Sequence, residues 1–239
     1  MAITIGTAGW SIPRQMATQF PPTGSALERY AARMPGVEIN SSFYRSHRPA
    51  TWARWAASVP AGFRFAVKMP RTISHERRLI DCEALLATFL EETASLGEKL
   101  AVLLLQLPPT LVWQSRSVED FLSRLTASTS AVIVCEPRHP SWFRGEADCL
   151  LAQFGVARAA ADPARAPAAA YPGGWQGLHY WRLHGSPRIY WSAYDPARLA
   201  CYAAHLREGR AAGRPVWCIL DNTAAGAALA NALALRDLT

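Results

Sequence analysis

The sequence contains no apolar run long enough to cross a bilayer, which takes roughly 18–20 residues. Its five cysteines are scattered, odd in number and form no CxxC pair, so neither a disulfide framework nor a zinc site is predicted. The N-terminal stretch lacks the basic-then-apolar order of a signal peptide and has the pattern of a strand. These absences predict a cytoplasmic protein with reduced thiols and no membrane partner.

Several motifs of nucleotide-binding and nucleophilic enzymes are also missing. The first loop lacks GxGxxG, and neither a P-loop nor GxSxG occurs in the chain. Lysine is scarce as well, because Lys68 and Lys99 are the two lysines and the other basic residues are arginines. The net charge of +7 favours anionic partners but is not concentrated in a basic tail.

Eight apolar runs alternate with segments of helical periodicity. They cover residues 3–10, 63–68, 101–107, 131–136, 156–161, 179–184 and 216–221, with one further run that begins at Val37. Such alternation predicts a parallel sheet with crossover helices, and eight repeats favour a closed barrel. The predicted fold is α/β, a TIM-like (β/α)8 barrel with an irregular loop at 163–177 after strand six. No linker composition is visible, so one domain is predicted over residues 1–239.

Polar residues end every run from the second onward. Glu38 and Asn40 share one face of the second strand, and Arg182 and His184 share one face of the seventh. Because the carboxyl ends of barrel strands meet at one mouth, we expect a polar pocket there. For each residue taken alone, the alternative is a solvated loop residue or a structural ion pair.

Proton transfer is the first chemistry that this mouth suggests. Lys68 and Glu136 are the main candidates, because burial among opposite charges moves such pKa values toward neutrality. Glu38 completes the predicted catalytic set. Three arginines lie at the same level: Arg71, Arg138 and Arg182. Their planar, permanently charged forks suit a phosphate or carboxylate, and an equally good interpretation is that they neutralise the acidic residues.

A metal site is the next interpretation. The acidic residues and one histidine resemble the ligand sets of divalent-metal barrel enzymes: Glu38, Glu136, Asp162, His184 and Asp221. Lysine and arginine are interleaved with nearly all of them and compete for the same carboxylates. We therefore predict neither a metal nor any other cofactor.

The leading functional prediction is an enzyme that performs acid–base chemistry, a hydrolysis or an isomerisation, on a small anionic substrate. The alternative is a non-catalytic nucleic-acid-binding protein that uses the basic mouth and stacks bases on Trp10, Trp142 and Trp191, which lie in predicted loops. A ligand sensor without turnover is a third interpretation. The sequence decides neither whether the chain is an enzyme nor its oligomeric state.

Eight motifs extend over nearly the whole chain: GTAGW, VEINSSFYR, FRFAVKMPRTISH, LLLQLPP, CEPRHPSW, ADP, YWRLHG and DNTAAGAALANA. Together they resemble the YecE-like family, domain of unknown function 72. The resemblance implies a TIM-barrel-like fold with a polar pocket at the strand carboxyl ends, and it implies no reaction. Beside Glu38, Lys68 and Glu136, the matching pocket positions are Asn40, Tyr44, Arg71, His75, Gln106, Arg138, His139, Asp162, Arg182, His184 and Asn222. Residues 9–13 depart from the family's GTSGWSY continuation and predict a shorter first loop.

Overall fold

The computed structural model describes residues 3–239. The strands are β1 (Ile3–Thr7), β2 (Gly36–Ile39), β3 (Arg64–Lys68), β4 (Leu100–Gln106), β5 (Val132–Glu136), β6 (Ala157–Arg158), β7 (Ala160–Asp162), β8 (Gly173–Gly174), β9 (His179–Leu183) and β10 (Val216–Leu220). The α-helices are α1 (Ala26–Ala31), α2 (Pro49–Ala57), α3 (Glu83–Ala94), α4 (Ser115–Ala127), α5 (Gly145–Gln153), α6 (Pro196–Ala211) and α7 (Ala227–Asp237). Within residues 3–239, no helix is both long and apolar enough to cross a membrane. Met1 and Ala2, which the predicted single domain includes, lie outside the described residues.

The strands close into a parallel barrel. Strands β2 to β6 are hydrogen-bonded in chain order, and β7, β9, β10 and β1 form the remaining arc. A bridge between Ala8 and Glu38 joins β1 to β2. The sixth predicted strand is split at Ala159, since β6 pairs with β5 whereas β7 pairs with β9. The prediction of a TIM-like (β/α)8 barrel is confirmed.

The segment that follows β7 contains no α-helix between residues 163 and 177. It holds a 3-10 turn at Pro167–Ala170 and the two glycines of β8, which pair antiparallel with β6. Gly174 has a φ of +62°, and an added Cβ would lie 2.7 Å from the Val156 carbonyl oxygen. Glycine is required for this close approach. The predicted irregular loop after strand six is confirmed.

Local sequence explains the boundaries of several helices. Ser25 and Glu28 form a capping box at the start of α1, in which each side chain bonds the other residue's backbone N–H. Helix α3, which precedes β4, begins only at Glu83. Arg78, Leu79 and Asp81 all have positive φ values, which interrupt the helical backbone before α3 begins.

Strand alternation divides the core into two layers. On β3, Phe65 and Val67 pack outward against the helices, whereas Ala66 packs inward. The interior layer consists of Ala66, Val102, Leu104, Val134, Ala157, Ala159, Leu178, Tyr180, Trp217 and Ile219. This apolar layer fills the barrel below the mouth, so the next inward residue of each strand stands at the mouth itself.

Small residues on and directly after β1 leave room for large side chains from β9 and β10. Gly6 and Ala8 face the interior beside the apolar layer. Tyr180 and Trp217 stack there with ring centroids 6.0 Å apart. The barrel is therefore asymmetric inside, with bulk supplied by β9 and β10 and space left by β1.

Gly6→Ala tests the close approach of β1 to β2. The added methyl group would lie 2.4 Å from the Gly36 carbonyl oxygen, and β2 is held in place by its pairing with β3. We expect the free energy of unfolding to fall by about 1–3 kcal/mol in denaturant titrations. Gly145→Ala is the control, because nothing lies within 4 Å of an added Cβ at the start of α5. Equal losses of stability in the two variants would show that the close approach of Gly6 to Gly36 is not the cause.

Candidate functional site

On each strand, the polar side chain of the mouth occupies the next inward-facing position beyond the apolar interior layer, toward the carboxyl end. Continuing the alternation gives Glu38 of β2, Lys68 of β3, Gln106 of β4, Glu136 of β5 and Arg182 of β9, with His184 and Asp221 just beyond β9 and β10. On β3, for example, Ala66 packs inward and Lys68 is the next residue on the same face. Because parallel strands end on one side of the barrel, most of these side chains converge.

Arg182 is the centre of the site and is fully buried. Its Nε and Nη2 donate to the two oxygens of Glu38 at 3.0 and 2.6 Å. Its Nη1 donates to Glu136 Oε2 at 2.6 Å, and Nη2 also reaches Asp221 Oδ2 at 2.9 Å. All three guanidinium nitrogens are thus bonded to carboxylates from three different parts of the barrel.

A second set of contacts holds the same carboxylates from the other side. Arg138 Nη2 lies 2.5 Å from Glu136 Oε1, and the Tyr180 hydroxyl donates to Glu38 Oε2 at 2.9 Å. His184 bridges the network, with Nδ1 3.0 Å from an Asp221 oxygen and Nε2 3.0 Å from Glu136 Oε1. Nε2 is also 2.9 Å from Arg138 Nη2, so it either accepts from the arginine or donates to the glutamate.

These contacts keep the Glu136 and Asp221 carboxylates ionised. Burial by itself would raise the pKa of Glu136, but the charges of Arg138, Arg182 and His184 outweigh it and hold that pKa well below its usual range. The pKa of Asp221 is lowered in the same way, chiefly by Arg182 against the effect of burial. Neither group supplies a proton near neutral pH. The sequence-based prediction of Glu136 as a catalytic residue is therefore restricted to accepting protons or acting through its charge.

Lys68 is the exception among the charged residues of the mouth. Its side chain is 7% exposed, and among residues 3–239 its Nζ has neither a hydrogen-bond nor an ion-pair partner. The ammonium lies 4.0 Å from the centre of the Phe43 ring, a cation–π contact. Burial, and after it the charge of Arg182, lowers the pKa of Lys68 to about 8. Lys68 therefore changes protonation state close to neutral pH.

Three buried polar atoms of the site also lack partners within the described part of the chain: Asn40 Oδ1, Asn222 Oδ1 and Arg138 Nε. Asn222 is fixed in orientation, because its Nδ2 donates to the Ser192 carbonyl and to Asn231 Oδ1. The Asn40 amide donates weakly to Asp221 Oδ1 at 3.5 Å. Two acceptors and one charged donor are consequently available to a ligand or to water.

Asp162 does not join the network around Arg182. Its carboxylate accepts two hydrogen bonds from Arg198 at 3.0 Å and one from the Tyr194 hydroxyl at 2.7 Å. Asp162 ends β7, and its partner Arg198 belongs to α6. The sequence-based grouping of Asp162 with the other mouth residues is not supported by these contacts.

Other predicted pocket residues lie at the rim. Arg71 is half exposed and pairs with Glu76 at 3.2 Å, and the Tyr44 side chain is 72% exposed. His139 accepts from the backbone N–H of Ser141, so it caps a 3-10 turn.

Two rim residues remain beside the network. Gln106 donates to the adjacent Leu107 carbonyl. His75 packs edge-on against Phe43, with ring centroids 5.0 Å apart. Burial, followed by the charges of Lys68, Arg71 and Arg138, lowers the pKa of His75. Of these two rim residues, His75 is thus the one with an electrostatic link to Lys68.

Three residues of the site were not among the predicted catalytic or binding residues. Tyr180 donates to Glu38, Asp221 accepts from Arg182, and the Phe43 ring makes a cation–π contact with the Lys68 ammonium. The signal for Tyr180 and Asp221 is the same strand alternation that selects Arg182. Phe43 follows β2 in the turn Ser41–Phe43, and nothing in its own sequence neighbourhood indicates a contact with β3.

A buried charge cluster at the carboxyl ends of a closed parallel barrel defines a TIM-barrel-like protein with its polar residues where such barrels hold their sites. The chain belongs to the family described as "Protein of unknown function DUF72", whose profile matches residues 4–239. The family resemblance predicted from the motifs is thereby confirmed.

The chain is 32% identical to the UPF0759 protein YecE of Escherichia coli K12 over 146 residues, which are 60% of this chain and 52% of that protein. The aligned part spans about half the length of the curated relatives. A DUF72 family protein of Enterococcus faecalis V583 superposes with a TM-score of 0.84 at 21% identity, covering 99% of this chain and 95% of that one. A DUF72 family protein of Thermotoga maritima MSB8 gives 0.82 at 21% identity, with 100% and 99% covered. These solved structures agree with the barrel fold.

Arg182→Met tests whether the mouth depends on its central cation. The change leaves the Glu38, Glu136 and Asp221 carboxylates buried without the guanidinium that contacts them. We expect a loss of about 3–5 kcal/mol or more in the free energy of unfolding, measured by denaturant titration. Arg124→Met, which removes the half-exposed partner of Glu83, is the matched control and should change stability by about 1 kcal/mol at most. A parent-like Arg182 variant would refute this view of the network.

Lys68→Met tests the energetic cost of the unpartnered ammonium. The pKa of Lys68 falls from 10.5 to about 8 on folding, so the unfolded chain holds this proton more tightly between those pH values. The lysine therefore costs the fold about 3 kcal/mol below pH 8, and this cost disappears as the pH rises to 10.5.

The methionine variant should equal or exceed the parent in stability near neutral pH and lose that advantage in alkaline buffer. Urea unfolding of both proteins across this pH range measures the difference. A difference that does not change with pH would show that Lys68 is not titrating in the folded chain as described.

Proposed function

We propose that the chain is an enzyme that performs acid–base chemistry, a hydrolysis or an isomerisation, on a small anionic substrate at the barrel mouth. The observation that carries the proposal is Lys68, a buried ammonium without a polar partner in the described residues, surrounded by charges that are all paired. A lysine that serves only structure would be expected to bond a carboxylate or a carbonyl. With a pKa of about 8, Lys68 is suited to donate a proton and to take it back.

The proposed roles divide between Lys68 and the fixed charges. Lys68 transfers the proton. Glu38 and Glu136, which strand alternation also predicts to be catalytic, act in this proposal through their charge, because both are bonded to Arg182. Their fixed positions stabilise positive charge that stays on or near Lys68 during the reaction.

The anionic group of the substrate would contact cations that the network leaves available. Arg182 is not one of them, since each of its guanidinium nitrogens already donates to a carboxylate. Arg138 has a buried Nε without a partner in residues 3–239, and Lys68 has a free ammonium. We assign substrate-anion binding to these two residues, with Arg71 at the rim.

The proposed reaction needs no metal. Glu136 and Asp221 accept hydrogen bonds from Arg182, and a divalent cation would have to displace that guanidinium to reach them. Activity should therefore survive exhaustive chelation, and a tightly held stoichiometric metal in purified protein would contradict this part of the proposal.

Nucleic-acid binding is the second candidate function, and one surface observation favours it. The Arg188 guanidinium lies 4.3 Å over the Trp191 ring, which is 46% exposed, and Tyr190 is exposed beside it. Trp142, by contrast, is buried and donates to the Leu111 carbonyl, so the prediction that bases stack on it is wrong. Affinity for the phosphate backbone of a nucleic acid would fall steeply with salt, whereas the affinity of a buried pocket for a small anion is screened much less.

Anion binding tests the proposed function. Inorganic phosphate should raise the Tm of the parent, because a ligand that binds the folded chain stabilises it, by about 2–4 °C for each kcal/mol. Sodium chloride at equal ionic strength is the solvent control.

Two variants locate the effect. Lys68→Met should abolish the phosphate-dependent rise, and Arg124→Met, which also removes one positive charge but lies on the surface of α4, should retain it. An equal rise in the parent and the Lys68 variant would place the anion elsewhere and remove the main support for the proposal.

A further inference from the structure

The two lysines of the chain have opposite surroundings. Lys99 Nζ donates to the Ala56 carbonyl at 2.5 Å and to the Val59 carbonyl at 2.6 Å, so it satisfies backbone acceptors at the end of α2. Lys68 Nζ has no such partner among the described residues and faces an aromatic ring. Lys99 is a structural cation, and two of its three N–H donors are taken up by backbone carbonyls. Lys68 is free to react.

The position of Lys68 is fixed by its backbone. Its carbonyl accepts from the Ser42 hydroxyl at 2.7 Å, and the next residue, Met69, donates its N–H to the Leu104 carbonyl at 2.9 Å. The Phe43 ring covers the ammonium. A side chain held this way on a rigid strand presents one atom, Nζ, to whatever enters the mouth.

We infer that Lys68 Nζ is a nucleophile that forms an imine with the carbonyl group of the substrate. This inference rests on the proposed function and deepens it, because it names the substrate class: a small aldehyde or ketone that also carries an anionic group. It gives Lys68 a covalent role in place of the proton transfer and anion contact proposed for it, and it leaves the anionic group of the substrate to Arg138. A buried, unpartnered amine at the carboxyl end of a barrel strand is the group that such chemistry requires. An arginine at this position could bind the anion but could not form the bond.

The step balances without any further reagent. The neutral amine attacks the carbonyl carbon, a C–N bond forms, and the carbonyl oxygen takes up a proton to give a carbinolamine. The C–O bond then breaks and the oxygen leaves as water. In sum, an ammonium and a carbonyl give an iminium and water, and nothing is oxidised or reduced.

The surroundings of Lys68 suit both stages. Its pKa of about 8 leaves about a tenth of the side chain neutral at pH 7, against less than about a thousandth for an ordinary lysine. The iminium retains the positive charge of the ammonium, so the Glu38, Glu136 and Asp221 carboxylates balance it equally well. His75 lies against the same Phe43 ring, and its lowered pKa keeps the imidazole neutral near pH 7, so it adds no positive charge beside the amine.

An iminium withdraws electrons from the neighbouring carbon. Loss of a proton from that carbon, which we assign to the neutral imidazole of His75 as base, becomes easier, and that is the central step of an isomerisation next to a carbonyl group. Hydrolysis gains nothing comparable from an imine. Of the two reactions in the proposed function, this inference therefore selects the isomerisation.

Borohydride trapping tests the inference. The full chain is incubated with dihydroxyacetone phosphate or with pyruvate and treated with sodium borohydride, which reduces an imine to a stable secondary amine. We expect a mass gain equal to the probe less one oxygen atom. Cleavage at arginine separates the two lysines, because Lys68 lies between Arg64 and Arg71 whereas Lys99 lies between Arg78 and Arg116.

The adduct should be on the Lys68 peptide, absent from Lys99, and lost in Lys68→Arg but retained in Lys99→Arg. sn-Glycerol 3-phosphate, which has the anion without the carbonyl, should suppress labelling of Lys68 and leave labelling of the N-terminal amine unchanged. Thermal melting checks that both variants fold. If Lys68→Arg does not fold, the peptide map of the parent alone decides whether Lys68 carries the adduct.

Two results would overturn the inference: no adduct at Lys68 with either probe, or equal labelling of Lys68 and Lys99. If phosphate still raises the Tm through Lys68 while trapping fails, the proposed function stands and the imine does not. If both phosphate binding and trapping fail, the proposed function fails with it.

Discussion

The burial of Arg182 is the constraint on which the mouth of this barrel depends. A guanidinium removed from water is costly unless its donors are all used, and here they bond to Glu38, Glu136 and Asp221. These partners come from β2, β5 and the end of β10, whereas Arg182 itself is on β9. One side chain thus ties β9 to β2 and β5, with which β9 does not pair, above an apolar layer that could not impose this geometry by itself.

The charges of the network around Arg182 are balanced. Apart from His184, whose charge depends on its proton, three carboxylates stand against three cations: Arg138, Arg182 and Lys68. The two arginines keep their charge at any working pH, so Lys68 alone among these cations adjusts the total. An arriving anion favours the ammonium, and its departure favours the neutral amine. Ligand charge and the proton on Lys68 are therefore coupled through the same field.

Strand alternation predicted much of this arrangement, because a period of two fixes which side chains face the barrel interior. It identified Glu38, Lys68, Glu136 and Arg182 together. It could not choose partners, since these depend on distances across the barrel that no sequence spacing records. Asp162 stands at a strand end like the others, but its carboxylate is bonded to Arg198 of α6. The split of the sixth strand at Ala159 is equally invisible in a run of alanines.

The two lysines differ in the contacts that the fold provides for their ammonium groups. Lys99 is half-buried and donates to two backbone carbonyls. Lys68 loses most of its hydration and gains an aromatic face, with a lowered pKa as the measure of that imbalance. Folding alone does not favour such an arrangement, and residues of this kind are characteristic of sites where stability is given up for activity. Arg138 and Arg182 hold the carboxylates in place, so the carboxylates do not move to pair with Lys68. The Lys68 ammonium is therefore left for a ligand to contact.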